Sequence, residues 1–305
     1  MYYKNLSDAI GHTPLIELQN YSPKKSVKIL VKLEGQNPGG SGSIKDRIAR
    51  YIIEKAEKSG ELTKDKTIIE ATSGNTGIAL AWLGRLKGYK VTIVMPDSMS
   101  LERRQLMKLY GAELILTDGK YGVQRSIDTV NEMATSDDKY FKADQFANPA
   151  NPLAHYETTG PEILEDNPYD SIDYLIAGIG TGGTLMGIAR RLKETYPDVK
   201  VIGAEPPLGD PIQGLRCLEE YVPPILDLKM LDERALTTSV EAVNATSELL
   251  EKEGVFSGMS SGAVMHQARR IASEIDEGCI VAVLADAGWK YMSMDLWSNS
   301  KGIIN

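Results

Sequence analysis

The chain has 305 residues, 42% of them apolar and 25% charged, with a formal net charge of −8. A chain of that size buries a large core and is expected to divide into two domains, while an acidic balance without a basic run speaks against nucleic acid as the main partner. No apolar run approaches the roughly 18 residues of a membrane span, and the opening MYYKNLSDAIGHTPL lacks the apolar centre of a signal peptide, so a cytoplasmic protein without a membrane partner is expected.

Short β-branched runs recur, and amphipathic stretches of helix length separate most of them. The first strand falls on Val27–Glu34. GGSGSIKDR (Gly39–Arg47) then leads into a helix whose apolar face is Ile48, Ile52 and Ala56, ending at Ser59-Gly60. A strand over Lys66–Thr72 runs into ATSGNTG (Ala71–Gly77) and the helical stretch IALAWLGRLKG. Strands over Lys90–Pro96 and Ala112–Asp118 flank a helix from about Leu101 to Tyr110, stopped by Gly111. QFANPANP (Gln145–Pro152) breaks the periodicity with two Asn-Pro pairs, as a domain connection does. Beyond it come a strand over Asp173–Gly180, the loop GIGTGGT (Gly178–Thr184), the helix LMGIARRLKETY, and strands over Val199–Glu205 and Cys279–Asp286. No 20–50-residue repeat interrupts this series. The order spells α/β: mainly parallel sheets covered by helices.

The two cysteines, Cys217 and Cys279, are far apart and in no metal spacing, which points to a reducing compartment without a disulfide framework. His12, His155 and His266 have no HxH or HxxxH partner. They read as surface or helix-packing residues, and no metal site is expected.

Three loops carry the chemistry. GIGTGGT presents Gly180, Thr181, Gly182, Gly183 and Thr184 to a helix N-terminus, where exposed N–H groups and two hydroxyls suit a phosphate. The same residues satisfy GxGxxG, and Glu205 closes the next strand, so a nicotinamide dehydrogenase is a rival reading. A purely structural turn is a third. ATSGNTG crowds Thr72, Ser73, Asn75 and Thr76 onto one turn, supplying donors for a carboxylate or an oxyanion. The plainer alternative is an elaborate helix cap.

Lys45 is the puzzle. A cation at a helix start faces the positive end of the dipole, at a cost of about 0.3–1 kcal/mol. That field and the small residues around it favour the neutral amine, a nucleophile that forms imines with aldehydes. An ordinary first helical turn, with Asp46 well placed, would also explain KDR. A phosphate cradle, a carboxylate cradle and an imine-ready lysine together describe pyridoxal 5′-phosphate holding an amino acid.

GHTPLIEL (Gly11–Leu18), SIKDR (Ser43–Arg47), TSGNTGIALA (Thr72–Ala81), MPDSMSLERRQLMKLYGAEL (Met95–Leu114), QFANPANPLAHYETTGPEI (Gln145–Ile163), GIGTGGT and GMSSGA (Gly258–Ala263) resemble the cysteine synthase family of fold-type II pyridoxal-phosphate enzymes over nearly the whole chain. The resemblance implies two three-layer α/β/α domains with mainly parallel twisted sheets, similar to the tryptophan synthase β chain. Residues 1–12 and 36–145 would form a smaller, mobile domain with the carboxylate loop. Residues 13–35 and 146–305 would form a larger one with the phosphate loop. It implies that Lys45 is the catalytic residue condensed with the cofactor aldehyde, that Asn75 bonds the cofactor O3′, that Gly180 to Thr184 hold its phosphate and that Ser260 meets its pyridine nitrogen. Thr72, Ser73, Thr76 and Gln145 would grip the substrate carboxylate. The loop before Lys45 carries a surplus glycine and serine relative to the family. A homodimer is a further family expectation.

GLRCLEEYVPPILD (Gly214–Asp227), with LR-x-x-x-E, then VP and ADAGWKY (Ala285–Tyr291), is more similar to the O-phosphoserine sulfhydrylase branch than to the acetylserine enzymes. That branch implies an arginine, here Arg216, on the substrate phosphate, and a small thiocarboxylated carrier protein as one sulfur source. A guanidinium fork suits a dianionic leaving group; the plainer alternative pairs Arg216 with Glu219 or Glu220 on its own helix. Trp289 and Tyr291 read as packing or pocket-wall residues.

Overall fold

A computed structural model describes residues 2–72, 74–98, 101–294 and 297. In chain order its elements are β1 (Leu15–Glu17), β2 (Val27–Leu33), α1 (Lys45–Ser59), β3 (Thr67–Ala71), α2 (Asn75–Lys87), β4 (Lys90–Pro96), α3 (Leu101–Leu109) and β5 (Glu113–Thr117). They continue with α4 (Gly122–Ser136), β6 (Tyr140–Lys142), α5 (Ala150–Ala154), α6 (Gly160–Asp166), β7 (Tyr174–Gly178), α7 (Gly183–Lys193), β8 (Lys200–Glu205), β9 (Glu233–Leu236), α8 (Ser239–Glu253), α9 (Met259–Glu274) and β10 (Gly278–Leu284). A π-helical turn, His155–Thr159, joins α5 to α6.

The chain forms two compact units, one of Met1–Ile10 and Asn37–Asn151, the other of Gly11–Gln36 and Pro152–Asn305. The seam falls at Asn151/Pro152 rather than at 145/146. Local bonds explain this: Asn148 Nδ2 donates to Ala143 O at 2.9 Å and Asn151 Nδ2 to Gln145 O at 2.7 Å, tying 146–151 to the residues that follow β6.

The first unit is built on a four-stranded sheet, ordered β5-β4-β3-β6 and parallel throughout. Side chains alternate across a strand, so neighbouring residues of β3 enter different cores. Ile68 packs with Ile52, Ile78, Leu80 and Met95, and Ile69 with Ala71, Val94 and Val130. Helix α1 turns its Ile48, Ile52 and Ala56 stripe inward and stops at Gly60, whose φ of 78° is left-handed.

The second unit is built on six strands ordered β1-β2-β10-β7-β8-β9, parallel except for the antiparallel edge β1. Val281 of β10 pairs with Leu30 of β2 on one side and Leu175 of β7 on the other. Ile29, Val31, Ile176, Ile202, Val264 and Ile280 fill its core. Lys32 is fully buried because its charge is matched: Nζ lies 2.8 Å from Glu162 and donates to Thr13 O at 2.5 Å. Thr13, in GHTPL, in turn donates to buried Glu34 at 2.6 Å. The edge strands β1, β6 and β9 have three or four residues each and show no periodicity in the sequence.

Candidate active site

In the first unit, Lys45 is the first residue of α1 and half-buried. The preceding loop is an internal structure, with Asn37, Ser41, Ser43 and Ile44 all buried. Asp46 organises it. Its fully buried carboxylate accepts the Ser41 N–H at 3.0 Å on Oδ1 and the Ser43 N–H at 3.1 Å on Oδ2. Ser43 Oγ accepts the Lys45 N–H at 3.1 Å and lies 2.7 Å from Ser41 Oγ. A Cβ at Gly39 would sit 2.3 Å from Asp46 Cγ, and one at Gly40 2.2 Å from Trp82 Cγ. In KDR the residue after the lysine thus reaches back and ties the loop that leads into the helix. Within this loop the Gly42 N–H donates to Gly39 O at 3.2 Å, closing a turn.

The second loop leaves the carboxyl end of β3. Thr72 and Thr76 are buried, Asn75 opens α2 half-buried, and Ser73 lies outside the described residues. Gly74 occupies the cap position, and no side chain caps it among the described residues. The α2 dipole points at this cluster. Gln145 follows β6, the neighbour of β3 on the side away from β4. The strand order turns at β3, and in open parallel sheets ligand crevices form at such turning points. The two loops accordingly meet: Thr76 Oγ1 donates to Gln145 Oε1 at 2.7 Å. That bond orients the amide with its NH₂ as the donor end.

In the second unit, the glycine loop leaves β7. Gly182 is the cap residue of α7, left-handed at φ 84°, with no side-chain cap bond. A Cβ on Gly180 would lie 2.7 Å from Gly214 O, and one on Gly214 3.5 Å from Ser260 Cβ and Oγ. The Arg216 N–H donates to Ile179 O at 2.8 Å. The glycine loop, Gly214–Arg216 and Ser260, the second residue of α9, are thus assembled in one place. A bare backbone curve at a helix N-terminus is an anion nest, with Thr181 and Thr184 at its sides. The residues present fit a phosphate monoester and a neutral hydroxyl contact to a ring nitrogen.

Arg216 is half-buried, with its guanidinium carbon 5.1 Å from the Tyr221 ring centroid, and burial pulls it below its ordinary value. The segment around it is not helical, and Tyr221 and Glu220 act on its charge from close by.

Glu205 settles the rival reading of the glycine loop. It is fully buried, and its two oxygens accept the Leu218 N–H and Arg234 Nε, both at 2.7 Å. A carboxylate so engaged does not serve a ribose. Both cysteines are buried and free. Tyr291 is a packing residue that donates to Asp286 at 2.8 Å, whereas Trp289 is exposed. The tail beyond Trp297 lies outside the described residues.

His155 was not singled out by its sequence. It is buried in the π-helical turn, with Nδ1 2.9 Å from Thr159 Oγ1 and Nε2 3.4 Å from Thr184 Oγ1. It packs directly against the glycine loop. Such turns concentrate at functional sites, and HYETT offers no periodic signal that would reveal one.

The family described as pyridoxal-phosphate dependent enzymes matches residues 6–286. A cysteine synthase of Staphylococcus aureus is 41% identical over 305 residues, covering 96% of this chain and 97% of its own. Cysteine synthase B of Escherichia coli is 42% identical over 289 residues, 94% of each chain. The crystal structure of a cysteine synthase from Entamoeba histolytica superposes with a TM-score of 0.93 at 38% identity, covering 100% of this chain and 93% of that one.

Proposed function

The chain belongs to the pyridoxal-phosphate dependent enzyme family, and from that premise we propose that it makes L-cysteine by replacing the β-substituent of an activated L-serine. The observation that carries the reading is the cradle in the second unit. Gly180 packs under the Gly214 carbonyl, Gly182 turns left-handed at the start of α7, and Ser260 stands beside Gly214.

Bound at that cradle, pyridoxal phosphate supplies an electron sink that acidifies the Cα–H of an amino acid and lets its β-substituent leave. The chain's own residues do the rest. Gly180 to Thr184 hold the phosphate through backbone N–H groups and hydroxyls, so no arginine clamp is required. Ser260 offers the ring nitrogen a neutral hydroxyl, which disfavours transamination and suits β-elimination. Lys45 would hold the cofactor in the resting enzyme and move the proton at Cα, Asp46 anchoring the loop that carries it. Asn75 contacts the cofactor O3′. Thr72, Ser73, Thr76 and Gln145 hold the substrate carboxylate, Gln145 with its amide oriented by Thr76. Two copies of the chain form the working enzyme.

The preferred substrate is O-phospho-L-serine, with sulfide or a small thiocarboxylated carrier protein as sulfur donor. Arg216 supports this choice, since its backbone is bonded to Ile179 of the phosphate loop and a guanidinium matches a dianionic leaving group. O-acetyl-L-serine, worked by the same mechanism, is the second reading. The deciding experiment reconstitutes the purified protein with pyridoxal phosphate and mixes it rapidly with either serine ester, then sulfide. Colour that borohydride bleaches, absent from Lys45→Ala, and cysteine formed faster from phosphoserine are expected. A colourless wild-type protein rejects the enzyme assignment; faster turnover of acetylserine rejects the substrate assignment alone.

A further inference from the structure

The strand that feeds the carboxylate loop carries an acid in the protein interior. Glu70 is the fourth residue of β3, 3% exposed, and its strand neighbour on β4 is Ile93. Its Oε2 accepts the backbone N–H of Gln145 at 3.2 Å. The other end of Gln145 accepts the Thr76 hydroxyl, and its carbonyl accepts Asn151 Nδ2. Glu70 thus bonds directly to one of the residues assigned to the substrate carboxylate, on a strand whose remaining inward positions are apolar.

We propose that Glu70 is a positioning residue of the carboxylate loop: it holds Gln145 in the register that presents its amide, and the charge on Glu70 sets the alkaline limit of amino-acid binding. The proposal rests on the assignment of Thr76 and Gln145 to the substrate carboxylate.

A buried acid facing an anion-binding loop serves that loop only while neutral, because an ionised carboxyl repels the ligand. Glu70 is raised to about 8, chiefly by burial and in smaller part by the nearby Asp144 carboxylate, against the opposing Gln145 N–H, Lys142 and Ala71 N–H. Lys142 lies 3.0 Å from Asp144, which blunts its effect on Glu70. Two further cations of this unit are buried, Arg47 of α1 and Arg103 of α3. Helix α4 covers the Ile69 face with Val130 and Ile127. Across the Ile68 face, α1 contributes Ile52 and α2 contributes Ile78 and Leu80. The Asp46 carboxylate of α1 is committed to Ser41 and Ser43, and Arg85 and Lys87 of α2 sit in that helix's last turn. Asp144, at φ 52°, is held in a left-handed backbone conformation next to Gln145, with its carbonyl accepting Ala147 and Asn148 N–H groups. That turn fixes the charge that raises Glu70.

The test uses reconstituted holoenzyme and propionate as a competitive probe, since propionate carries the carboxylate but no amine that titrates above neutrality. Its inhibition constant is measured from pH 6.5 to 10 for wild type, Glu70→Gln, Asp144→Asn and Thr76→Ala. Wild-type binding should weaken about tenfold across pH 8, as expected for a new like charge near the site. Glu70→Gln keeps the acceptor for the Gln145 N–H, carries no charge at any pH and should give a flat profile. Asp144→Asn tolerates the left-handed backbone and should move the break to lower pH. This second variant keeps the test decisive if Glu70→Gln fails to fold. A wild-type profile without a break, a break unchanged in Glu70→Gln, or one unmoved in Asp144→Asn overturns the proposal. Thr76→Ala separates the two layers: if it leaves propionate binding intact at every pH, the carboxylate-loop assignment itself fails, whereas weakened binding with an unaltered Glu70→Gln break removes Glu70 alone.

Discussion

The Asp46 carboxylate reaches back across the start of its own helix to accept the Ser41 backbone N–H at 3.0 Å, while its other oxygen holds Ser43. Both bonds are buried, so each N–H left unpaired costs about 1–3 kcal/mol. Asp46→Ala is expected to lower stability by about that amount per bond and to slow imine formation at Lys45, because the lysine loop loses its anchor. Denaturant midpoints and the rate at which the cofactor absorbance appears on reconstitution check both effects. Unchanged values for both would remove Asp46 from the account.

Gly180 is required by space. Its added Cβ would approach the Gly214 carbonyl oxygen to 2.7 Å, a backbone atom that no rotamer change can move aside. Gly180→Ala should therefore weaken retention of pyridoxal phosphate by about tenfold or more, overpacking costing ~1–3 kcal/mol. Equilibrium dialysis of the cofactor measures this, and wild-type retention would contradict the cradle.

Arg216→Ala separates the two serine esters. A hydrogen bond to a charged partner contributes about 1.5–3 kcal/mol, so kcat/KM for phosphoserine should fall roughly tenfold to a hundredfold. The value for acetylserine should hold within about threefold, since no charge is lost there. Equal losses for both substrates would assign Arg216 to the scaffold.

Glu70 also leaves a signature in stability. Its folded value of about 8 lies above the unfolded 4.5, so the folded state binds its proton more tightly. The resulting contribution is fully present below pH 4.5 and is lost as pH rises through 8, at up to about 1.4 kcal/mol per pH unit. Glu70→Gln removes that slope. The difference in urea midpoint between variant and wild type should shift in the variant's favour from pH 5 to pH 8, and a difference independent of pH would mean that Glu70 is ionised in the native state.

Much of the fold is legible in the sequence. Strong periodicity made the long elements readable: the Ile48–Ile52–Ala56 stripe of α1, the β-branched runs of β2, β3, β4 and β10, and the glycine turns after β3 and β7. Local chemistry marked Lys45, the polar cluster at 72–76 and the glycine loop, because each breaks a local rule unless it has a ligand. His155 and Glu70 stayed hidden. A lone histidine in HYETT and a lone acid in KTIIEAT look like ordinary punctuation, and their meaning lies in partners far away in sequence.

The sequence by itself determined the α/β class, the parallel strands and the kinds of group the loops could hold, since these follow from period, turn residues and short-range polarity. Only the tertiary structure decided which of those groups meet. A strand of three residues, β6, pairs with β3 and brings Gln145 to Thr76 across 69 positions of chain. Strand β8 closes on Glu205 with Leu218 and Arg234 already in its grasp, which removes the dinucleotide reading. Pairing order and burial arise from non-local packing, and no window along the chain encodes them.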